Sequence, residues 1–469
     1  MIDISHLAAM QFRSVLRRSV VEALPRREWP VMICRTDAQG LHLYVQRGPV
    51  GVAYDVPGER PVALLSFGSA DLAQFEGRTA ELVTLESIDP ARGRARWYEG
   101  RMPRGVEFDL ASSEVTPLAP AGPTRWTKMP GSFLPALAAA AETTAKEMIR
   151  FALNNVQLRG NSGEMISTDG RQLLIQSGFE FPWKDDVLVP RVRAFGMREI
   201  PAEDSVAVGR AEQRIFIRSG RWTFSLDAQT GRFPDVHSIL PRIDATQSGL
   251  RLHPEDTAYL IEALPNLPGH EDDNAPVTLD LGAPPCLRAR AEGSEATIEI
   301  ELRRSTTKGK PMRVAVNRDF LLRALRLGCV EVTIVHPDQP LHFQGSDRVY
   351  IAVPLHQQRV IPPCEGSTRF STAEKEIEKV QAPTPRRISM PASHANGNSA
   401  NGNGHGDVDR GERPPVFQEL VAEADQVRAQ VQEVLGRLTR LITGLKQFRR
   451  QSRAVQVAVQ SLRDLRLEG

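Results

Sequence analysis

The same succession of sequence elements runs three times along these 469 residues, in stretches of roughly 120 residues, the size of one compact unit. Each stretch reads as an amphipathic helix, a strand hairpin with glycine at its tip, a second short helix and a closing glycine-tipped hairpin. The first hairpins are expected to turn at Asp37 to Gly40, Asn161 to Gly163 and Glu292 to Gly293. The closing ones are expected at Gly100, Gly220 and Gly345, inside Trp97-Tyr98-Glu99-Gly100, Ile217-Arg218-Ser219-Gly220 and His342-Phe343-Gln344-Gly345. Glycine supplies the positive φ of a tight hairpin turn, and two hairpins keeping step across three copies predict a triplicated α+β domain. An unrelated multidomain β-rich chain with ordinary turns is the alternative.

The copies span 1–123, 124–245 and 246–360, with proline-bearing joints at Pro117 to Pro123 and Pro241 to Asp244. Residues 361–413 read as a disordered linker, because the Asn, Gly, Ser and His run from His394 to His405 cannot bury enough apolar surface to offset its ordering entropy. From 414 to 469 a new period begins. Phe417, Leu420, Ala424, Val427, Val431, Val434, Leu438, Leu441, Leu445, Phe448, Val455, Val459 and Leu462 alternate steps of three and four, broken only by Ser452 at one expected position, the seam of a long coiled-coil helix. Leu435 and Ile442 widen that seam. A single amphipathic helix packed back on the body is the other reading.

The formal net charge of +2 places any nucleic-acid surface in local arrangement and not in bulk excess. No apolar run reaches the roughly 18 to 20 residues of a membrane helix, and no membrane partner is expected. No export leader is read at Met1 to Ser5, and Cys34, Cys286, Cys329 and Cys364 are too scattered for a disulfide framework, so a cytoplasmic location is expected.

The second copy carries Phe151-Ala152-Leu153-Asn154, then Ser167-Thr168-Asp169-Gly170-Arg171-Gln172-Leu173, and closes with Arg232-Phe233-Pro234-Asp235-Val236 and Ile239-Leu240-Pro241. The third carries Val316-Asn317-Arg318-Asp319-Phe320-Leu321-Leu322, Val330 to Thr333, and Tyr350-Ile351-Ala352-Val353-Pro354-Leu355. This combination resembles the bacterial DNA sliding clamp, the beta subunit of DNA polymerase III, over residues 1 to 356. The resemblance implies three DNA-clamp domains per subunit and a head-to-tail homodimer ring, with antiparallel sheets outside and helices lining a hole around duplex DNA. It also implies a non-catalytic processivity factor that tethers DNA polymerase and the clamp loader through short linear peptides.

The helix faces suit that arrangement. Phe12, Leu16 and Val20 share one face of the opening helix while Arg13 and Arg17 share another, with Arg18 adjacent. Leu321, Ala324 and Leu325 oppose Arg323 and Arg326 on a later helix, and Arg191, Arg193 and Arg198 add to the set from the second copy. Taken singly each arginine is a solvated surface residue; together, on helices of a ring, they are the expected phosphate contacts, salt-dependent and indifferent to sequence.

The peptide pocket that the resemblance implies falls on Leu153, Thr168, Gly170, Arg171, Leu173, Pro234, Ile239, Val353, Pro354 and Leu355. The same residues could simply complete the sheet cores. The family usually carries His-Arg where this chain has Arg171-Gln172, and Met-Pro-Met-Arg-Leu where it has Val353 to Gln357. The first copy lacks the Phe-Pro-Asp closing motif and ends Val106 to Leu110.

No cofactor, metal or catalytic residue is expected. Thr306-Thr307-Lys308-Gly309-Lys310 lacks the upstream glycine and following hydroxyl of a phosphate loop, and His270-Glu271-Asp272-Asp273 has no second ligand cluster at metal spacing. The alternative function is a clamp-fold adaptor that no longer closes a ring and recruits partners through its coil, whose Arg437 to Arg453 segment could touch DNA or an acidic protein. A nuclease or transferase on the same scaffold ranks below both, since a fold cannot supply missing site chemistry.

Overall fold

The computed structural model describes residues 1–21, 29–111, 119–145, 152–202, 206–240, 243 and 247–372. The expected coiled coil at 414–469, and the linker from 373 onward, lie outside the described residues.

The first copy contains β1 (Ile2–Ser5), α1 (His6–Leu16) running into a π turn at Arg17–Val21, β2 (Val31–Asp37), β3 (Gly40–Arg47), β4 (Val50–Pro57) and β5 (Ala63–Gly68). A 3-10 turn at Ser69–Gln74 leads to β6 (Leu82–Ser87), β7 (Arg92–Glu99) and β8 (Met102–Asp109). The second has β9 (Thr127–Lys128), α2 (Phe133–Thr143), β10 (Asn155–Arg159), β11 (Glu164–Thr168), β12 (Gln172–Gln176) and β13 (Asp186–Pro190). It continues through a 3-10 turn at Arg193–Gly196 to β14 (Ala207–Ala211), β15 (Arg214–Ser219) and β16 (Trp222–Asp227).

The third has β17 (Ser248–Arg251), α3 (Pro254–Ala263), β18 (Pro276–Asp280), β19 (Cys286–Ala289), β20 (Ile298–Glu301), β21 (Thr306–Lys308) and β22 (Arg313–Asn317). It ends with α4 (Arg318–Arg326), β23 (Glu331–Ile334), β24 (Leu341–Gln344) and β25 (Arg348–Ala352), after which β26 (Thr368–Ser371) follows. The element order therefore recurs, although the second helix shrinks to a 3-10 turn in the first two copies. Among the described residues no helix is long and apolar enough to cross a membrane.

Local chemistry fixes the helix starts. Ser5 Oγ accepts the Ala8 N–H at 3.1 Å at the head of α1, and Asn317 Oδ1 accepts the Asp319 N–H at 2.8 Å at the head of α4. Asp319 in the first turn of α4 and Arg323 and Arg326 in its last complement the helix dipole. The apolar stripe expected on the opening helix is realised: Phe12, Leu16 and Val20 are buried.

Among the described residues four sheets form, and two of them cross from one copy to the next. The first crossing sheet has the order β5-β2-β3-β4-β16-β15-β14-β9, the second β13-β10-β11-β12-β25-β24-β23-β17-β21. Both seams are antiparallel and share one register: Val50 of β4 faces Leu226 of β16, and Gln172 of β12 faces Ala352 of β25. In each, the first residue of the earlier copy's strand meets the fifth residue of the later copy's closing strand. Gly51 is required here, because a Cβ on it would lie 2.3 Å from Ser225 Oγ across the seam. The other two sheets are β1-β6-β7-β8, within the first copy, and β22-β18-β19-β20-β26, which the third copy shares with the segment that follows it.

Two sequence expectations need correction. Glu292 and Gly293 lie on the turn between β19 and β20, the second hairpin of that sheet; the first hairpin of the third copy turns at 281–285 instead. The linker assigned to 361–413 is ordered at its start. Ile361 is buried with its N–H donated to Thr278 Oγ1 at 2.7 Å, and β26 pairs in parallel with β20.

Candidate functional site

The helical elements of the first two copies meet where the π turn at Arg17–Val21 packs against the 3-10 turn at Arg193–Gly196. That packing brings Arg17, Arg18, Arg193 and Arg198 to one groove of about 370 Å³, together with Glu142 and Glu199. All four arginines are exposed. Concentrated guanidinium groups with room between them can donate to phosphate oxygens, and the two carboxylates moderate the field without cancelling it. The groove was not legible as a unit, since 175 or more positions separate its halves in sequence.

Of the other arginines in the expected set, Arg13, Arg191 and Arg323 hold partners within the chain. Arg13 Nη1 donates to Glu76 Oε1 at 2.8 Å while its guanidinium lies 4.7 Å from the centroid of the Trp29 ring. Arg191 is half-buried, donates to the Ala145 carbonyl at 3.4 Å, and has its pKa lowered by burial, with Arg193 adding to the effect. Arg323 reaches from α4 to α2, donating to Glu142 Oε2 at 3.0 Å and to the Ala139 carbonyl, so it ties the third copy to the second. Arg326 is exposed and borders a neighbouring groove with Glu142, Asp319 and Phe320.

Residues named for the expected peptide pocket gather around the second seam. Thr168 faces Leu173 within the second copy, and Leu173 faces Ile351 of the third. Ile166, Leu173, Ile175, Val236 and Ile351 form an apolar cluster separate from the main cores, with Phe233, Leu240 and Val349 against it. Sequence reading did not place Ile166, Ile175, Val236 or Ile351 in the pocket, although alternation along β11, β12 and β25 puts Ile166 with Thr168, Ile175 with Leu173, and Ile351 with Val349 on one face of each strand.

The turn between β11 and β12 is held by its own side chains. Asp169 Oδ1 accepts the N–H groups of Arg171 and Gln172 at 2.8 and 2.9 Å, and Thr168 Oγ1 donates to the Gln172 carbonyl while accepting the Gly170 N–H at 3.0 Å. Gly170 takes φ +91°, which L side chains rarely adopt. Tyr350 Oη then donates to Gln172 Oε1 at 2.6 Å, and the Val353 N–H to the Arg171 carbonyl at 2.9 Å, fixing the third copy's end against this turn.

Of the expected pocket residues, Leu153, Thr168 and Leu173 are buried, and Pro234, Pro354 and Leu355 half-buried. Gly170, Arg171 and Val353 are exposed, Val353 at 43%. Ile239 lies on the 3-10 turn His237–Ile239, and its side chain is outside the described residues. The result is an apolar floor with an exposed rim, suited to a short extended peptide bearing a bulky side chain. Among the described residues no group of three or more His, Cys, Asp or Glu could hold a metal ion.

Comparison with known proteins places this architecture. No family model matches the chain. Over 227 residues it is 25% identical to the beta sliding clamp of Pseudomonas aeruginosa, a match covering 45% of this chain and 60% of that protein. The chain thus spans less than two thirds of that curated relative. The fold is shared more widely. The crystal structure of the DNA polymerase III subunit beta from Pseudomonas aeruginosa superposes with a TM-score of 0.61 at 19% identity, covering 76% of this chain and 99% of that one. A putative DNA polymerase III beta subunit from Eubacterium rectale gives 0.60 at 12% identity, with the same coverage of both chains.

Proposed function

Taking the chain as a member of the bacterial sliding-clamp family, we propose that it is a DNA sliding clamp, a non-catalytic processivity factor that encircles duplex DNA and tethers the replicative polymerase. The observation that carries this reading is the repeated seam. Copies spanning 1–123, 124–245 and 246–360 join one to the next by the same antiparallel pairing in the same register. A third such seam, between β20 of one subunit and β8 of another, would close two chains head to tail into a ring. The ring would work in the cytoplasm and present its helical elements to DNA.

Within that ring the groove of Arg17, Arg18, Arg193 and Arg198 is the phosphate-contacting surface. Arg13 and Arg323 contribute mainly to structure, because each already holds a partner inside the chain. The apolar floor around Leu173 and Ile351, rimmed by Val353, Pro354 and Leu355, takes the short peptides through which a polymerase or clamp loader would be tethered.

The electrostatic part is tested by measuring affinity for a duplex without sequence preference across a range of salt concentrations. Arg17→Ala, Arg18→Ala and Arg198→Ala together are expected to make the slope of log K against log salt shallower by about 2 to 3, at roughly 0.9 for each phosphate that is no longer neutralised. Arg326 as the sole substitution would change it by at most about 1. An unchanged slope in the triple variant would remove this groove from the DNA surface.

A further inference from the structure

The strand β26 lies on the edge that the repeated seam assigns to a second subunit. In the first two copies the third strand of the hairpin sheet, β4 or β12, carries the next copy's closing strand on its outer edge. The corresponding strand of the third copy is β20, and its outer edge carries β26 from the same chain. The pairing also differs in kind: both seams are antiparallel, whereas β26 runs parallel to β20 with Ile298 facing Thr368 and Glu301 facing Ser371.

The attachment is short and peripheral. The Thr368 N–H donates to the Thr297 carbonyl at 2.9 Å and the Thr372 N–H to the Glu301 carbonyl at 3.2 Å. Arg369 Nε lies 3.4 Å from Glu299 Oε1, and Arg304 Nη1 donates to the Thr372 carbonyl at 2.8 Å. Phe370 stays 43% exposed, so little apolar burial holds the strand down. At the other end of the chain β8 is the terminal strand of its sheet, and among the described residues no strand covers its outer edge. An open edge of this kind is a template for another strand.

We propose that β26 is a displaceable plug on the ring-closure edge: it occupies the place of a second copy's β8, so that two chains close only when residues 364–372 peel away. The inference rests on the ring reading above and adds a built-in competitor to it. A competitor joined to the same chain lowers the apparent affinity of two subunits by the fraction of chains in which the edge is open. Applying the first-to-fifth register of the two existing seams places Ile298 of one chain opposite Val106 of the other.

The test uses the full chain carrying Cys364→Ser, Val106→Cys and Ile298→Cys, treated with a short bismaleimide, with and without Thr368→Pro and Thr372→Pro. The two prolines remove two of the N–H donors that hold β26, and neither Thr368 nor Thr372 belongs to a hydrophobic core cluster. The crosslinked head-to-tail dimer is expected to form at about tenfold lower protein concentration, or less, when the prolines are present. Equal crosslinking with and without them would overturn the plug while leaving ring closure standing. No crosslinking in either background would overturn both.

Discussion

Replacing Trp222 by alanine is expected to destabilise the first two copies by about 3 to 5 kcal/mol, the usual cost of emptying a large aromatic site in a packed core. Trp222 is 2% exposed at the start of β16, directly opposite Tyr54 on β4. Its ring centroid lies 4.5 Å from that of Tyr54 and 6.1 Å from that of Phe12, and its Nε1–H donates to the Glu199 carbonyl at 2.8 Å. One side chain therefore joins the seam, the buried face of α1 and the backbone beside Arg198. Its removal would leave a cavity shared by two copies and an unpaired carbonyl. Chemical unfolding followed by near-UV circular dichroism would show the transition of the first two copies at lower denaturant. Because the third copy keeps its own core, its transition should move by less. Equal shifts in both transitions would mean that the two cores unfold as one.

The second large effect is expected at Arg288. Its Nη1 lies 2.6 Å from Asp280 Oδ2 and its Nε contacts Glu299, with all three side chains no more than 8% exposed. Arg313 and Arg369, both at least half exposed, reach the same carboxylates from outside at 2.8 and 3.4 Å. Arg288→Met removes the shared buried cation and leaves two carboxylates facing each other, costing about 3 kcal/mol, at the lower end for a broken buried ion pair because the outer arginines remain. Removing the charges together should be milder. A triple variant with Arg288→Met, Asp280→Asn and Glu299→Gln is expected to recover a large part of that stability in urea unfolding. A triple variant less stable than the single one would show that hydrogen-bond geometry, and not uncompensated charge, governs this cluster.

The repeat was legible because tight hairpin tips favour glycine, and Gly100 and Gly220 adopt positive φ, at 62° and 56°, whereas Gly345 in the third copy does not. The third copy misled for a physical reason. Its β19–β20 connection, residues 290–297, is long enough to mimic the spacing of a first hairpin, while the true first turn at 281–285 follows only a five-residue strand. Helical spacing likewise gave the buried faces of α1 and α4.

Partners distant in sequence were not legible. Nothing local to Arg13 points to Glu76 or Trp29, and nothing local to Arg323 points to Glu142. Both arginines look like free basic-face residues until the fold brings a carboxylate to them. The order of 361–372 was hidden in the same way. Thr368–Ser371 is too short and polar to read as a strand, and it becomes one because β20, about 70 positions earlier, offers an open edge and Glu299 meets Arg369.

The central claim is topological, so the most direct measurement compares retention on circular and linear DNA. The full chain would be loaded onto a nicked circular duplex by the clamp-loading machinery of its own cell, moved into high salt, and followed before and after the circle is cut. A ring predicts persistence on the circle and rapid release on cutting, because electrostatic attachment alone is weakened by salt on both forms alike. Equal retention on circular and linear DNA would contradict encirclement.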